Sequence, residues 1–315
     1  MTLLARTAEN LFWMARYVER AENTARLLYA TSRISQMASV HPEEANDWET
    51  ALRGAACDQL FFALHGNATP EAVIAFLAFS DDNPSSIRNC LRRARQNARS
   101  VRTALTSDTW EAINGSWLEL KRIDTHDFSP RGINRFIAWV KESSLRIDGS
   151  AMRTMLRSDR YWFTRLGLYV ERADTTARML EIKSPLLVPR AERVGGSLDY
   201  YQWTALLRAV SAHSAYHWVY RQQLRPDNIA DLLILREEMP RSLASCYANI
   251  SDYLEEIALA YGRQGPAQRQ ARKTIGRLRN ARISDILTEG LAEFAQEFIA
   301  ENNRLGAAIT EQYLS

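Results

Sequence analysis

Several things are scarce in these 315 residues. Glycine (13) and proline (9) are few, which removes collagen-like, low-complexity and turn-rich β architectures. Three cysteines, Cys57, Cys90 and Cys246, form an odd set without CxxC spacing. They imply neither a disulfide framework nor a structural zinc site, and they suit a reducing compartment. No run of about 18 uncharged apolar residues occurs, so no membrane span is expected. The first twenty residues carry charges throughout and lack a signal-peptide core. Cytoplasmic localisation is the resulting expectation. Forty basic and 37 acidic residues give a formal charge of only +3. That is too little to argue for nucleic acid or an anionic membrane as partner. The arginines between Arg88 and Arg102 read as one charged helix face. Gly-rich phosphate loops, GxSxG elbows and Cys–His nucleophile signatures are absent.

What is present is helix-forming residue types, 46% apolar content and a repeated stretch. Tyr17-Val-Glu-Arg-Ala-Glu-Asn-Thr-Ala-Arg-Leu-Leu28 returns as Tyr169-Val-Glu-Arg-Ala-Asp-Thr-Thr-Ala-Arg-Met-Leu180. Three further matches follow in the same order: Trp48–Arg53 with Trp203–Arg208, Phe76–Ile87 with Leu232–Leu243, and Arg146–Gly149 with Arg304–Ala307. Cys90 and Cys246 share a register. The pattern predicts an all-α, internally duplicated bundle, one domain over 1–315 with halves of about 1–150 and 151–315. The two repeated helices would pack about a pseudo-two-fold axis.

Helices are expected at 6–38, 44–65, 69–79, 84–106, 107–120 and 130–156 in the first half. The second half carries the repeated helix and then 199–224, 226–236, 240–263, 266–280 and 283–313. Pro84 and Pro240 read as helix starts. Ser184 to Leu198 reads as a loop, with Val188–Val194 as a short extended piece.

On a helix of 3.6 residues per turn, Leu11, Met14, Tyr17, Val18, Ala21, Ala25 and Leu28 share one face. Arg16, Glu19, Glu22, Asn23 and Arg26 share the opposite one. Ala21, Ala25, Ala173 and Ala177 are small enough to let the two repeated helices touch. The charged stripe recurs as Glu171, Arg172, Asp174, Thr175 and Arg178. Arginines can hold a carboxylate or phosphate, and carboxylates can hold Mg²⁺ or take a proton from an amine. A solvated i,i+4 ladder and a buried ion-pair network are the alternatives.

His213 and His217 have two-ligand spacing but no evident third ligand, so ordinary histidines are the plainer reading. Pro84-Ser-Ser86 and Pro240-Arg-Ser242 could bind anions, with Arg241 adding charge. Plain capping competes, and Asp81-Asp82 and Glu237-Glu238 favour it. Most of the eight tryptophans read as core or groove lining, and the cysteines as residues of apolar helix faces.

Leu11 to Arg26, together with Asp82–Ile87, Trp110–Asn114, Thr154–Arg157, Leu166–Asp174 and Pro240–Ser242, resembles the bacterial Alpha-E family, named for an ER motif. The resemblance covers essentially the whole chain. It implies a partnership with ATP-grasp-type carboxylate–amine ligases, with transglutaminase-like and proteasome-like hydrolase genes nearby. It therefore implies ATP-dependent peptide or amide synthesis, with ATP and Mg²⁺ used by the partner ligase. Carried onto this chain, the signature falls on Glu19, Arg20, Arg26, Glu171, Arg172, Asp174 and Arg178. Leu168 stands where the family tends to have arginine, so the halves are unequal there.

The expected site is a cleft between the repeated helices. Glu19, Glu171 and Asp174 would be catalytic. Arg16, Arg20, Asn23, Arg26, Arg172 and Arg178 would bind an amino acid, a peptide or an acyl phosphate. A non-catalytic adaptor for the ligase is the competing reading. No metal or cofactor is assigned to the chain itself, and a homo-oligomer is allowed.

Overall fold

The computed structural model describes residues 3–38, 46–124, 127, 129–187 and 197–314, and among them it has fifteen α-helices and no strand. Two long helices form the centre: α1 (Ala5–Ala38) and α8 (Asp159–Leu187). They pack on each other more extensively than any other pair. The apolar and charged faces of α1 leave open whether the charged one meets solvent, and both faces are covered. Leu11, Met14 and Ala25 are buried on one side, Glu19, Glu22 and Arg26 on the other.

Around α1 lie α2 (Asp47–Gly54), α5 (Ile87–Ser100), α7 (Pro130–Thr154) and α9 (Ser197–Ala209). Around α8 lie α11 (Pro226–Ile234), α12 (Leu243–Tyr261) and α15 (Leu291–Ile309). The remaining helices are α3 (Asp58–Leu64), α4 (Pro70–Ala78), α6 (Ser107–Leu120), α10 (His213–Tyr220), α13 (Pro266–Asn280) and α14 (Ile283–Glu289). Thr310–Leu314 closes α15 with a π turn.

Several expected boundaries move, each for a local reason. The segment expected as one helix over 44–65 divides into α2 and α3 at Ala56, whose φ of 51° is left-handed. The segment 199–224 divides in the same way at Ser211, φ 57°, into α9 and α10. Gly290, φ 120°, divides 283–313 into α14 and α15. Pro84 and Pro240 sit in turns, and the helices start after Ser86 and Ser242. Ser86 Oγ accepts from Asn89 N at 3.2 Å and Ser242 Oγ from Ser245 N at 2.9 Å. Side-chain capping thus occupies these helix starts. The first half's 84–106 ends as α5 at Ser100, followed by a 3₁₀ turn over Arg102–Ala104. α8 continues to Leu187 and α9 opens at Ser197, so the loop expected over 184–198 is narrower at both ends. The extended piece at 188–194 falls outside the described residues.

The alanine contact is also corrected. Ala21 and Ala25 belong to an apolar cluster with Leu52, Phe76 and Leu91, while Ala173 and Ala177 belong to a second cluster with Leu243 and Ile250. The four do not meet. The small residue at the α1–α8 crossing is Gly167, where a Cβ would overlap the Phe12 carbonyl. The two helices instead turn their charged stripes toward each other. Gly167→Ala is expected to cost about 1–3 kcal/mol, the usual range for overpacking against backbone that cannot yield. Denaturant unfolding of the variant checks this.

Candidate functional site

The two Glu-Arg pairs cross over. Arg20 of α1 donates Nε and Nη2 to Glu171 Oε1 and Oε2 at 2.5 and 3.0 Å. Arg172 of α8 donates Nε and Nη2 to Glu19 Oε1 and Oε2, both at 2.9 Å. Each bidentate fork is the strong geometry for guanidinium on carboxylate. Adjacent residues point about 100° apart on a helix. A Glu next to an Arg can therefore receive one helix's partner while offering its neighbour to the other carboxylate. Asn23 donates Nδ2 to Thr175 Oγ1 at 2.9 Å one turn further on.

The lattice spreads from these pairs. Arg16 Nε reaches Glu171 Oε2 at 2.8 Å, its guanidinium lying over the Trp13 ring at 4.6 Å. Arg241, from the turn before α12, donates to Glu19 Oε1 at 2.8 Å, Glu22 Oε1 at 2.7 Å and Asn23 Oδ1 at 3.1 Å. Arg26 donates Nε to Glu22 Oε1 at 2.7 Å, and Nη1 to the Ala209 carbonyl and Ser211 Oγ at 2.9 and 2.8 Å. Ser144 Oγ donates to Glu22 Oε2 at 2.6 Å.

These contacts set the charges. Burial pushes the Glu19 carboxyl up, but Arg172 and Arg241 outweigh it and hold it at about 2. Burial also raises Glu171, and Arg20 and Arg16 more than reverse this, leaving it below the usual carboxylate range. A carboxylate fixed as the anion at neutral pH is a poor proton acceptor. Glu19 and Glu171 therefore have the environment of structural ions. Asp174 differs: burial drives its carboxyl above its ordinary value, and the neighbouring Glu171 charge adds to that against the pull of Arg178. Arg178 Nε meets Asp174 Oδ2 at 2.7 Å, while the buried Oδ1 has no hydrogen-bond partner.

Asp174 lines a cavity of about 210 Å³ between α1, α2 and α8. Of the nine sequence-predicted site residues, Arg20, Asn23, Glu171, Asp174 and Arg178 line it. Glu19, Arg16, Arg26 and Arg172 do not; they face the lattice. The walls also include Ser85, Lys183 and apolar Leu27, Leu77 and Ile182. Burial pushes the Lys183 ammonium pKa down, partly offset by Asp47. Asp174 raised and Lys183 lowered in one cavity is the pattern of an acid–base or ligand site.

Sequence reasoning did not place Ser85, Ser144 or Lys183 at the site, and it saw Arg241 only as an extra charge at a helix start. The register match of Ser85 with Arg241 was the available signal. Lys183 lies in a stretch of α8 beyond the repeated motif and gave none.

Other candidates fall elsewhere. The rings of His213 and His217 are 4.9 Å apart at the surface, and burial and the His217 charge lower the His213 pKa. Among the described residues no three His, Cys, Asp or Glu side chains converge as a metal site, and no helix is long and apolar enough to cross a membrane. Cys90 and Cys246 are buried within helices, but Cys57 sits at the N-cap of α3 rather than on a helix face. Burial raises all three thiols to about 12. Trp48 and Trp203 are core, whereas Trp218 is 83% exposed.

Fold and site together define an all-helical protein whose two central helices are cross-linked by Glu-Arg pairs beside one small polar cavity. The chain belongs to the Alpha-E family, described as a predicted alpha-helical domain with a conserved ER motif, which matches residues 3–314. Neither a curated protein nor a solved structure matched it.

Proposed function

We propose that this chain is the ligand-binding component of an ATP-dependent system that forms peptide or amide bonds, acting with an ATP-grasp-type ligase. The observation that carries this is the cavity lined by Asp174, whose buried Oδ1 is unpartnered, together with its ion-pair partner Arg178 and with Lys183. Such a lining suits a small molecule bearing both an amine and an anionic group: an amino acid, a peptide end or an acyl phosphate. Asp174 takes the role of receiving the amine, and of accepting its proton where the chain is itself catalytic. Arg178 and Lys183 hold the anionic end, with Arg20 on the same wall. Glu19, Arg16, Arg26 and Arg172 keep the helices in register, as does Glu171 on the cavity wall.

In this reading the chain is an internal duplication, its crossed Glu-Arg pairs lying about a pseudo-two-fold axis. The left-handed residues Ala56 and Ser211 occupy the same register as the matched Trp48 and Trp203, which supports it. ATP and Mg²⁺ belong to the partner ligase, and a transglutaminase-like protein is a further partner. The family resemblance supports the ligase partnership.

The non-catalytic adaptor remains the second reading, favoured by one observation: the carboxylates of Glu19, Glu22 and Glu171 are all paired. Mass spectrometry of products made by the neighbouring ligase with ATP, Mg²⁺ and an amino-acid mixture separates the two. The proposal expects a product that depends on this chain and is lost in Asp174→Asn. The same product from ligase alone contradicts it, and full activity in Asp174→Asn leaves only the adaptor.

A further inference from the structure

The cavity is open where the equivalent space in the other half is filled. In the match of Phe76–Ile87 with Leu232–Leu243, Ser85 and Arg241 hold one register. The Arg241 guanidinium fills the space among Glu19, Glu22 and Asn23. The residues in register with those three are Glu171, Asp174 and Thr175, and they line the cavity with Ser85. The second cation on Glu171, beside Arg20, comes from Arg16, whose own counterpart is Leu168. One arginine is thus replaced from another direction, and the space it would occupy is left free.

Two further differences fall at the same place. Glu22 has Arg241 on one oxygen and Ser144 on the other, whereas its counterpart Asp174 has Oδ1 unpartnered. Ser211, which receives Arg26, is matched by Ala56, a cavity residue without a hydroxyl. A buried carboxylate oxygen without a donor costs free energy until one arrives. An ammonium group supplies that donor. A bare cation would nonetheless meet Arg20, Arg178 and Lys183 on the same walls, so the ligand must bring an anionic group as well. Leu27, Leu77 and Ile182 supply an apolar part of the wall, and the cavity volume of about 210 Å³ suits a small side chain.

The geometry points to a binding site for a free α-amino acid with a small apolar side chain, opened by serine at position 85. Its ammonium group meets the Asp174 carboxyl, its carboxylate faces Arg178 and Lys183, and its side chain lies on the apolar wall. This rests on the cavity being the ligand site, and it names the ligand class.

Calorimetry on the full chain at pH 7 tests it with three probes that share an isobutyl skeleton: L-valine, isobutylamine, which lacks the carboxylate, and isovalerate, which lacks the amine. L-valine should bind saturably and at least about tenfold tighter than either, since a lost charged hydrogen bond is worth about 1.5–3 kcal/mol. Ser85→Arg, which restores the plug, should abolish valine binding. Should that variant fail to fold, Asp174→Asn serves instead, and it should erase the preference for valine over isovalerate. Absence of saturable valine binding, equal affinity for isovalerate, or undiminished valine binding in Ser85→Arg overturns the inference. The assay contains no ligase, so the two proposals fail separately. Valine binding without chain-dependent product removes the amide-forming role alone. Chain-dependent product without valine binding removes this ligand alone.

Discussion

Arg241→Ala should be the most destabilising single change in the lattice, at about 3–5 kcal/mol in denaturant unfolding. Removing one partner of a buried ion pair leaves the other as an uncompensated charge. Here one guanidinium serves two carboxylates, Glu19 at 2.8 Å and Glu22 at 2.7 Å, both nearly out of contact with water. Arg172 still grips Glu19 and Arg26 still grips Glu22, so the chain keeps a partner for each anion. The loss is then a destabilised fold rather than no fold. Combining Arg241→Met with Glu22→Gln should recover part of the loss, because it removes charge and counter-charge together. The surface pair Arg272–Glu255 is the control, expected to change stability by less than about 1 kcal/mol when broken.

Asp174→Asn should do the reverse of Arg241→Ala. It should cut chain-dependent product formation by about 10–100-fold, the weight of one charged hydrogen bond. Stability should hold or rise. The amide keeps the shape, avoids burying a charge, and gives up only the Arg178 pair, which is a quarter exposed on the arginine side. A residue whose removal harms activity and spares the fold is the mark of a functional position, where stability is commonly given up. Parallel melting curves and product assays read both quantities from one preparation.

The helices were largely legible from the sequence. α6 and α13 begin and end where polar or proline starts and the apolar period place them. The breaks inside 44–65 and 199–224 were not, because the left-handed residues there are Ala56 and Ser211 rather than glycine. Such φ values are imposed by the packing of α2 and α3, or of α9 and α10, and leave no local trace. The charged stripe was legible as a stripe. Its burial was one of the open alternatives, because what covers it is another charged stripe 152 residues away together with Arg241. Pattern reasoning takes charge as a sign of solvent, and in this core guanidinium forks replace the solvent. The alanines misled for the same reason: smallness suggested the α1–α8 crossing, while Gly167 supplies it.

Residue-resolved NMR titration of the side-chain carboxyls tests most directly the claim that the crossed Glu-Arg pairs are structural and that Asp174 is the available group. Glu19 ordinarily titrates near 4.5 and is held at about 2 here. A lowered folded-state pKa contributes stability above the unfolded value and loses it as pH falls. Glu19 should therefore stay ionised from pH 7 through 4.5, with stability falling between 4.5 and about 2. Asp174, raised by burial, should protonate above its ordinary 3.8, and its contribution runs the other way, favouring the fold below that pH. A Glu19 that titrates at or above 4.5 while Asp174 stays at or below 3.8 would contradict the account.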